Sequence, residues 1–319
     1  MQEIIEPVDR NLLMAELTPE KFVRNTNNAE NELYLFTAHD SPNLMREVGR
    51  LREFTFRSAG GGTGEEVDID EYDICDNCYK QLIVWDPKER EILGGYRFHS
   101  VDPSKGDEIN LSTKHLFNFS EKFVREYIPK MIELGRSFVQ PKYQSLSRGG
   151  KGLYALDNLW DGLGALIVLN PHIRYFFGKV TMYRSYNVEA RDTLLYFFEK
   201  YFKDNEQLVT TIHPIEVNMD RDKMERLFTG KNYTEDYKIL SHKIRELGEK
   251  IPPLINAYMN LSPSMKVFGT VINPYFGNVE ETAILITIPD IYQHKMERRT
   301  GTFVRKLAGK YLRPYRKES

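Results

Sequence analysis

The sequence lacks most features that mark exported, membrane-spanning or nucleic-acid-binding proteins. Its two cysteines are too few for a disulfide scaffold and fit a reducing compartment. No apolar run approaches the ~18 residues of a membrane-spanning helix, and the acidic N-terminus MQEIIEPVDR is unlike a signal peptide. A net charge of -2 gives no overall field that would attract nucleic acid. We therefore expect a cytoplasmic protein that does not bind nucleic acid.

Motifs for metal binding and for hydrolysis are also missing. Cys75 and Cys78 have the spacing of a metal-ligand pair, but no second Cys pair or His pair completes a set of four ligands. The seven histidines are scattered, and none lies beside a Gly-x-Ser-x-Gly elbow. We expect no metal site and no hydrolase triad.

What the sequence does contain is enough apolar residues for a substantial core. Of its 319 residues, 41% are hydrophobic and 12% aromatic, which is typical of a globular protein. We predict an N-terminal arm (1–28), a main domain (29–292) with a helical insertion around 190–250, and a basic C-terminal tail (293–319).

Hydrophobic periodicity predicts a mixed α/β architecture. Apolar residues at helical spacing indicate a helix within 41–58 and another within 153–169. Two strands joined by a charged turn suggest a hairpin, so we expect a largely antiparallel central sheet flanked by helices rather than a doubly wound parallel one. The predicted strands are KQLIVWD, GGYRFHSV, KMIELGRSFV, YFFGKVTM and TAILITIPD.

Charged residues interrupt several of these apolar strands. Arg97, Glu133 and Arg136 lie on strands that are otherwise apolar, and a charge buried alone costs several kcal/mol. The acidic segment DIDEYD is the nearest source of partners, so a charge cluster is expected; the alternative is a solvated strand edge beside an acidic loop. The members of the predicted charge cluster would be Arg52, Asp68, Asp70, Asp73, Arg97, Glu133 and Arg136.

The segment 133–137 also predicts an irregular strand. Strict alternation would point Glu133 and Arg136 to opposite faces and bury a guanidinium among apolar side chains. A β-bulge removes this conflict, and Gly135 could adopt its positive φ. We therefore predict a bulge or splay within residues 133–137.

Four motifs, taken in order, resemble those of acyl-homoserine-lactone synthases, which are GNAT-like acyltransferases. They are REFTF (52–56), DIDEYD (68–73), GGYRF (94–98) and ELGRS (133–137). Residues 251–290 make the chain more similar still to bacterial ornithine-lipid and glycine-lipid N-acyltransferases, which are also called hemolysin-like. The resemblance covers most of residues 33–292.

This resemblance implies a GNAT-like fold and transfer of a (3-hydroxy)fatty acyl group from acyl carrier protein to the α-amino group of glycine or ornithine. The acyl-phosphopantetheine of the carrier would be a co-substrate, with no bound cofactor, and a second O-acyltransferase would act downstream. Signal synthesis of the homoserine-lactone type and a membrane-active, hemolysin-like protein remain the alternatives.

The same chemistry suggests roles for the cluster. An ammonium must lose a proton before its nitrogen attacks a thioester, and Glu133 is the candidate base, with an ion pair to Arg136 or Arg97 as its alternative role. Arg136 is the second candidate catalytic residue. Arginines could hold the substrate carboxylate, although at least one must balance the aspartates. The predicted substrate-binding residues are Arg52, Asp70, Asp73 and Arg97.

Two further segments could contact the acyl donor. The loop Arg148, Gly149, Gly150, Lys151 and Gly152 precedes a helix and could cradle the phosphopantetheine phosphate, or it is a simple turn; it does not fit the coenzyme-A pattern Q/R-x-x-G-x-G/A. The basic tail 293–319 predicts an amphipathic helix that docks acyl carrier protein or an anionic membrane, or that merely packs on the domain.

Overall fold

The chain is organised around one large sheet, which a computed structural model describes together with its helices over residues 1–103, 106–144, 151–217 and 219–311. The strands are β1 (Phe22–Asn25), β2 (Glu32–Phe36), β3 (Lys80–Asp86), β4 (Glu91–His99), β5 (Phe117–Phe119), β6 (Met131–Val139), β7 (Tyr175–Met182), β8 (Val209–Thr211), β9 (Lys266–Asn273) and β10 (Val279–Thr287). The main sheet has the order β1-β2-β3-β4-β6-β7-β10-β9, while β5 and β8 form a separate pair. Within the main sheet β6 and β7 are parallel, and the other described pairs are antiparallel.

Helices cover both faces of this sheet. They are α1 (Arg10–Glu16), α2 (Pro42–Ser58), α3 (Glu71–Ile74), α4 (Lys151–Leu169), α5 (Val188–Phe202), α6 (Arg221–Leu227), α7 (Tyr233–Glu246), α8 (Pro253–Met259) and α9 (Gln293–Tyr311). Successive strand residues point to opposite faces: Leu82 packs with the leucines of α4, whereas Ile83 packs with those of α2. We call the face covered by α4 the helical face. We call the opposite face, covered by α2, the charged face.

Local sequence signals explain how the charged face is built. Helix α2 has Pro42 in its first turn, where a missing N–H costs nothing, and the helix ends before Gly60, whose φ is 94°. Helix α3 has a capping box in which Asp70 caps the N-terminus and the Asp73 side chain accepts from the Asp70 backbone N–H. The capping box fixes Asp70 and Asp73 relative to each other at the start of α3.

The predicted architecture is confirmed. The structure is mixed α/β with a largely antiparallel sheet, and β7 occupies the predicted segment YFFGKVTM. The predicted N-terminal arm contains α1 and β1, and β1 pairs with β2 at the edge of the sheet. The predicted insertion contains α5, α6, α7 and β8. The division into domains stays a prediction.

The predicted break in β6 is confirmed, but one detail of it is wrong. Gly95 pairs with Phe138 and Arg97 with Gly135, so one residue of β4 faces two of β6, Arg136 and Ser137. The positive φ belongs to Arg136 (51°) rather than to Gly135. For a residue with a Cβ this conformation costs about 1–2 kcal/mol, so the contacts of Arg136 must hold it there.

The C-terminal helix packs on the domain through its described first half. Phe303 is buried, Arg299 bonds Asp157 and Asp161 on α4, and Arg24 of β1 donates to Thr302. These contacts agree with a packed helix for residues 293–304. Within the described part of the chain, no helix is long and apolar enough to cross a membrane.

Candidate active site

A cavity of about 880 Å³ opens where β6 and β7 separate. The two strands pair from Met131 and Tyr175 as far as Leu134 and Gly178, although both continue for several residues beyond. Residues on the unpaired parts of both strands line the cavity, which therefore passes through the sheet from the helical face to the charged face. Its volume is in the ~300–1,000 Å³ range typical of ligand pockets.

The helical side of the cavity is apolar. Its described walls come from α4, α8 and the inward side chains of β7 and β10, and the lining side chains that the structure describes there carry no formal charge. They include Leu156, Leu159, Trp160, Leu163, Phe176, Val180, Ile255, Tyr258, Ile284 and Ile286. This half of the cavity suits a hydrocarbon chain.

The charged side contains the cluster expected from the sequence. Arg97, 2% exposed, bonds both carboxylate oxygens of Asp70, at 2.5 and 2.8 Å, and donates to Asp73 at 2.9 Å. It also lies over the Tyr79 ring, 4.9 Å from the ring centroid. The prediction that buried strand charges find partners in the acidic segment is confirmed for Arg97.

Arg52 forms the inner layer of this cluster. The side chain is fully buried, donates to both Asp73 oxygens at 3.3 and 3.2 Å, and also bonds Gln81. Breaking a buried pair of this kind by removing one partner typically costs about 3–5 kcal/mol. Arg52 and Asp73 therefore fix the position of Arg97.

Arg136 extends the cluster to the bulge of β6. Its Nε bonds Asp68 at 3.1 Å, its Nη2 lies 3.5 Å from Asp70, and its guanidinium stacks 4.3 Å from the Phe276 ring centroid. Burial alone would raise the pKa of Asp70, but the adjacent guanidinium groups of Arg97 and Arg136 hold that pKa well below its ordinary value. The carboxylate is therefore ionised, and its single negative charge is shared by Arg97 and Arg136.

Glu133 is fully buried in a cage of hydroxyl groups. It accepts from Tyr79 at 3.0 Å, from Ser112 at 2.5 Å and from Thr113 at 3.0 Å. Burial raises its pKa, and these hydrogen bonds oppose the shift without cancelling it. Glu133 does not line the cavity, whereas Ser112 does. The Ser112 hydroxyl therefore links the Glu133 carboxylate to the cavity.

The cavity contains a second ion pair that was not predicted from the sequence. Lys179 of β7 and Glu281 of β10 form a salt bridge, and both line the cavity beside Arg97 and Arg136. Lys179 is a lone charge inside the apolar strand YFFGKVTM, which is the same signal that identified Arg97. A lone charge in an apolar strand could therefore have predicted Lys179 as a site residue.

The structure brings together most of the predicted site residues. Arg97 and Arg136 line the cavity, while Arg52, Asp70 and Asp73 support them and do not line it. Direct substrate binding by these three stays a prediction. Of the predicted donor loop, Lys151 and Gly152 begin α4 rather than preceding it, and Arg148, Gly149 and Gly150 lie outside the described residues.

The other candidate groups have structural contacts. Asn110 donates to the Cys75 thiol sulfur, Cys78 is buried with a free thiol, and the described residues hold no group with metal-ligating geometry. His99 stacks on Tyr79 at a centroid distance of 4.7 Å, and burial lowers its pKa to about 4. His99 is therefore neutral at physiological pH.

A family model and two relatives with assigned names match this chain. Residues 51–150 match a family model described as an acetyltransferase (GNAT) domain. A glycine N(alpha)-acyltransferase of Phocaeicola vulgatus is 54% identical over 308 residues, covering 96% of this chain and 94% of the relative. One of Bacteroides thetaiotaomicron is 54% identical over 307 residues, covering 95% and 91%.

Among solved structures, a CoA-dependent acyl-homoserine lactone synthase, BjaI, determined with SAM and isopentyl-CoA, is similar to this chain. The alignment has 12% identity and a TM-score of 0.40, and it covers 86% of this chain and 90% of the synthase. The same synthase with MTA gives the same values.

Proposed function

The chain belongs to the N-acyltransferase family of its two glycine N(alpha)-acyltransferase relatives, and on that premise we propose that it transfers a fatty acyl group from acyl carrier protein to the α-amino group of glycine. The observation that carries the proposal is the cavity that crosses the sheet between β6 and β7. Its apolar half would hold the acyl chain, and its charged half would hold the amino acid.

The gap between the strands is the place where the two substrates would meet. Gly178 and Leu134 form the last pair between β7 and β6. Gly135, the next residue of β6, lines the cavity. A thioester carbonyl in this gap would be exposed to an amine on the charged face. Backbone N–H groups freed by the separated strands would supply donors to the oxyanion.

The proton of the amine would leave through Ser112. The Ser112 oxygen first takes one proton from the ammonium and passes its own proton to Glu133, which leaves a free amine. The amine nitrogen then bonds the carbonyl carbon, and as the C–S bond breaks, a second proton passes from that nitrogen to the leaving sulfur. The hydrogen bond between Ser112 and Glu133, at 2.5 Å, is already in place. The products are an N-acyl amino acid and the free thiol of the carrier's phosphopantetheine.

Two sequence features support acyl carrier protein as the donor: the segment QSLSRGGKG (144–152), which does not fit the coenzyme-A pattern, and the basic tail. Residues 293–319 carry nine lysines and arginines against two glutamates, which favours an acidic carrier or, at the inner face of the cytoplasmic membrane, anionic lipid. The product would be a lyso-type aminolipid. A second O-acyltransferase would then complete the lipid.

We expect glycine to be acylated in preference to ornithine. Among the charged side chains that line the cavity within the described residues, Arg97, Arg136 and Lys179 are cationic and only Glu281 is anionic, so the second ammonium group of ornithine would enter a cationic site. Purified protein with acyl carrier protein loaded with a 3-hydroxyacyl chain, given equimolar glycine and ornithine, should yield mainly N-acylglycine by mass spectrometry.

The same assay with acyl-coenzyme A as donor is its control. A higher kcat/KM with the carrier than with coenzyme A supports the proposed donor, and the reverse contradicts it. Equal acylation of ornithine would contradict the acceptor assignment, and no N-acyl product with either donor would contradict the proposed function.

A further inference from the structure

Lys179 lies at the point where β6 and β7 separate. It follows Gly178, the last residue of β7 that pairs with β6, and alternation places it on the charged face beside Gly135. Its side chain is 12% exposed and lines the same cavity wall as Arg97 and Arg136. A lysine is thus built into the apolar strand where the acceptor would approach.

Glu281 is held from several directions and fixes this lysine. One of its oxygens bonds Lys179 and accepts from the Asn273 side-chain amide at 3.1 Å, and the other accepts from Thr181 at 3.5 Å. These contacts come from β7 and β9, the two neighbours of β10 in the sheet. The carboxylate is therefore a positioning group rather than a free base.

Lys179 retains unused donor capacity. An ammonium carries three N–H donors, and within the described part of the chain its hydrogen-bond acceptor is Glu281. Burial lowers the pKa of Lys179, Glu281 opposes this shift without cancelling it, and the neighbouring Arg136 and Arg97 charges lower the pKa further. An anionic ligand group at this ammonium would offset both effects.

Arg136 offers a donor edge to the same region. Its Nε and Nη2 face Asp68 and Asp70, which leaves Nη1 available to a ligand among the contacts that the structure describes. Arg97, in contrast, already engages both oxygens of Asp70. An anion would therefore find donors from Lys179 and Arg136 at the wall of the cavity.

We propose that Lys179, held by Glu281, binds the α-carboxylate of the acceptor amino acid together with Arg136. This inference rests on the proposed function and assigns its acceptor subsite. A carboxylate anchored on β7 would place the α-amine of a small amino acid in the gap beside Gly135, within reach of the thioester. Lys179 and Arg136 are then the part of the site that distinguishes an amino acid from an amine without a carboxylate.

The test compares glycine with glycinamide, which keeps the α-amine and lacks the carboxylate. Lys179→Met preserves most of the side-chain volume and removes the charge, so KM for glycine should rise about 10- to 100-fold, as expected for the loss of a hydrogen bond between charged groups. Activity with glycinamide should change little. The ratio of kcat/KM for glycine to kcat/KM for glycinamide should therefore fall by the same factor.

Two further variants control for folding. Lys266→Met removes a strand lysine that pairs with Asp204 and Glu206 outside the cavity, and it should leave the ratio unchanged. Because Lys179→Met leaves Glu281 unpaired, the double change Lys179→Met with Glu281→Gln removes both charges and should give the same loss of discrimination.

The outcomes separate the two proposals. If the wild-type chain acylates glycine and Lys179→Met lowers the rates with glycine and glycinamide equally, the subsite is wrong and the proposed function stands. If the wild-type chain acylates a different amino acid, glycine is wrong as acceptor, and the same comparison with that amino acid and its amide decides the subsite. A wild-type chain that acylates no amino acid overturns both proposals.

Discussion

Replacing Glu133 with glutamine is expected to lower kcat by about 10²–10⁴-fold, the usual contribution of a general base. Glutamine has nearly the same shape and still offers an oxygen to the surrounding hydroxyls, but it cannot accept a proton. Because burial raises the pKa of Glu133 in the folded protein, its ionisation destabilises the fold as pH rises through that pKa. The neutral amide should therefore fold at least as well at neutral pH, which thermal unfolding would verify.

The pH profile gives an independent check on this role. The carboxylate must be ionised to act as base, so kcat should fall as pH decreases through the raised pKa, with the acid limb above the ordinary glutamate value of ~4.3. Glu133→Gln should lose that limb. Ser112→Ala should lower kcat in the same direction, since it removes the hydroxyl between the cavity and Glu133. Near wild-type turnover for Glu133→Gln at saturating substrate would make Glu133 a structural residue.

Replacing Gly135 with valine is expected to lower kcat/KM by at least about 10²-fold, because misplacing reacting groups by ~1 Å can have an effect of that size. A Cβ built on Gly135 comes no closer than 3.7 Å to the nearest atoms, which belong to the Arg97 side chain. The position lacks a positive φ and lies in a strand, where valine is favoured. The branched side chain should therefore fit the fold and fill the gap between β6 and β7.

Gly135→Ala is the matched control for this steric argument. One methyl group adds less bulk, so its loss of activity should be several-fold smaller than that of valine, while both variants should unfold at temperatures close to that of the wild-type protein. Equal activity of the valine variant and the wild type would show that neither substrate passes beside Gly135.

The cluster on the charged face was predictable because charges on buried strands need partners. Arg97 is a charged residue in the apolar segment GGYRFHSV, and DIDEYD was the nearest supply of carboxylates. The conflict between Glu133 and Arg136 likewise predicted the bulge. In each case a charge buried alone would cost several kcal/mol, which favoured the cluster and the bulge, although a solvated strand edge remained the alternative from sequence.

Other features depend on contacts between distant parts of the chain. Ser112 and Tyr79 reach Glu133 only once β3 and β6 and the loop before β5 are packed together. The positive φ at Arg136 rather than Gly135 depends on Asp68 and Phe276 holding its side chain. Short edge strands such as β1 carry too little periodicity to be recognised.

Mass spectrometry of lipids from a host that expresses the chain tests the central claim most directly. The account predicts new N-acylglycine species in cells with the wild-type chain, and their near absence in cells with equal amounts of folded Glu133→Gln or Gly135→Val protein. Lipids unchanged by the wild-type chain, or N-acylglycine formed equally by all three proteins, would contradict it.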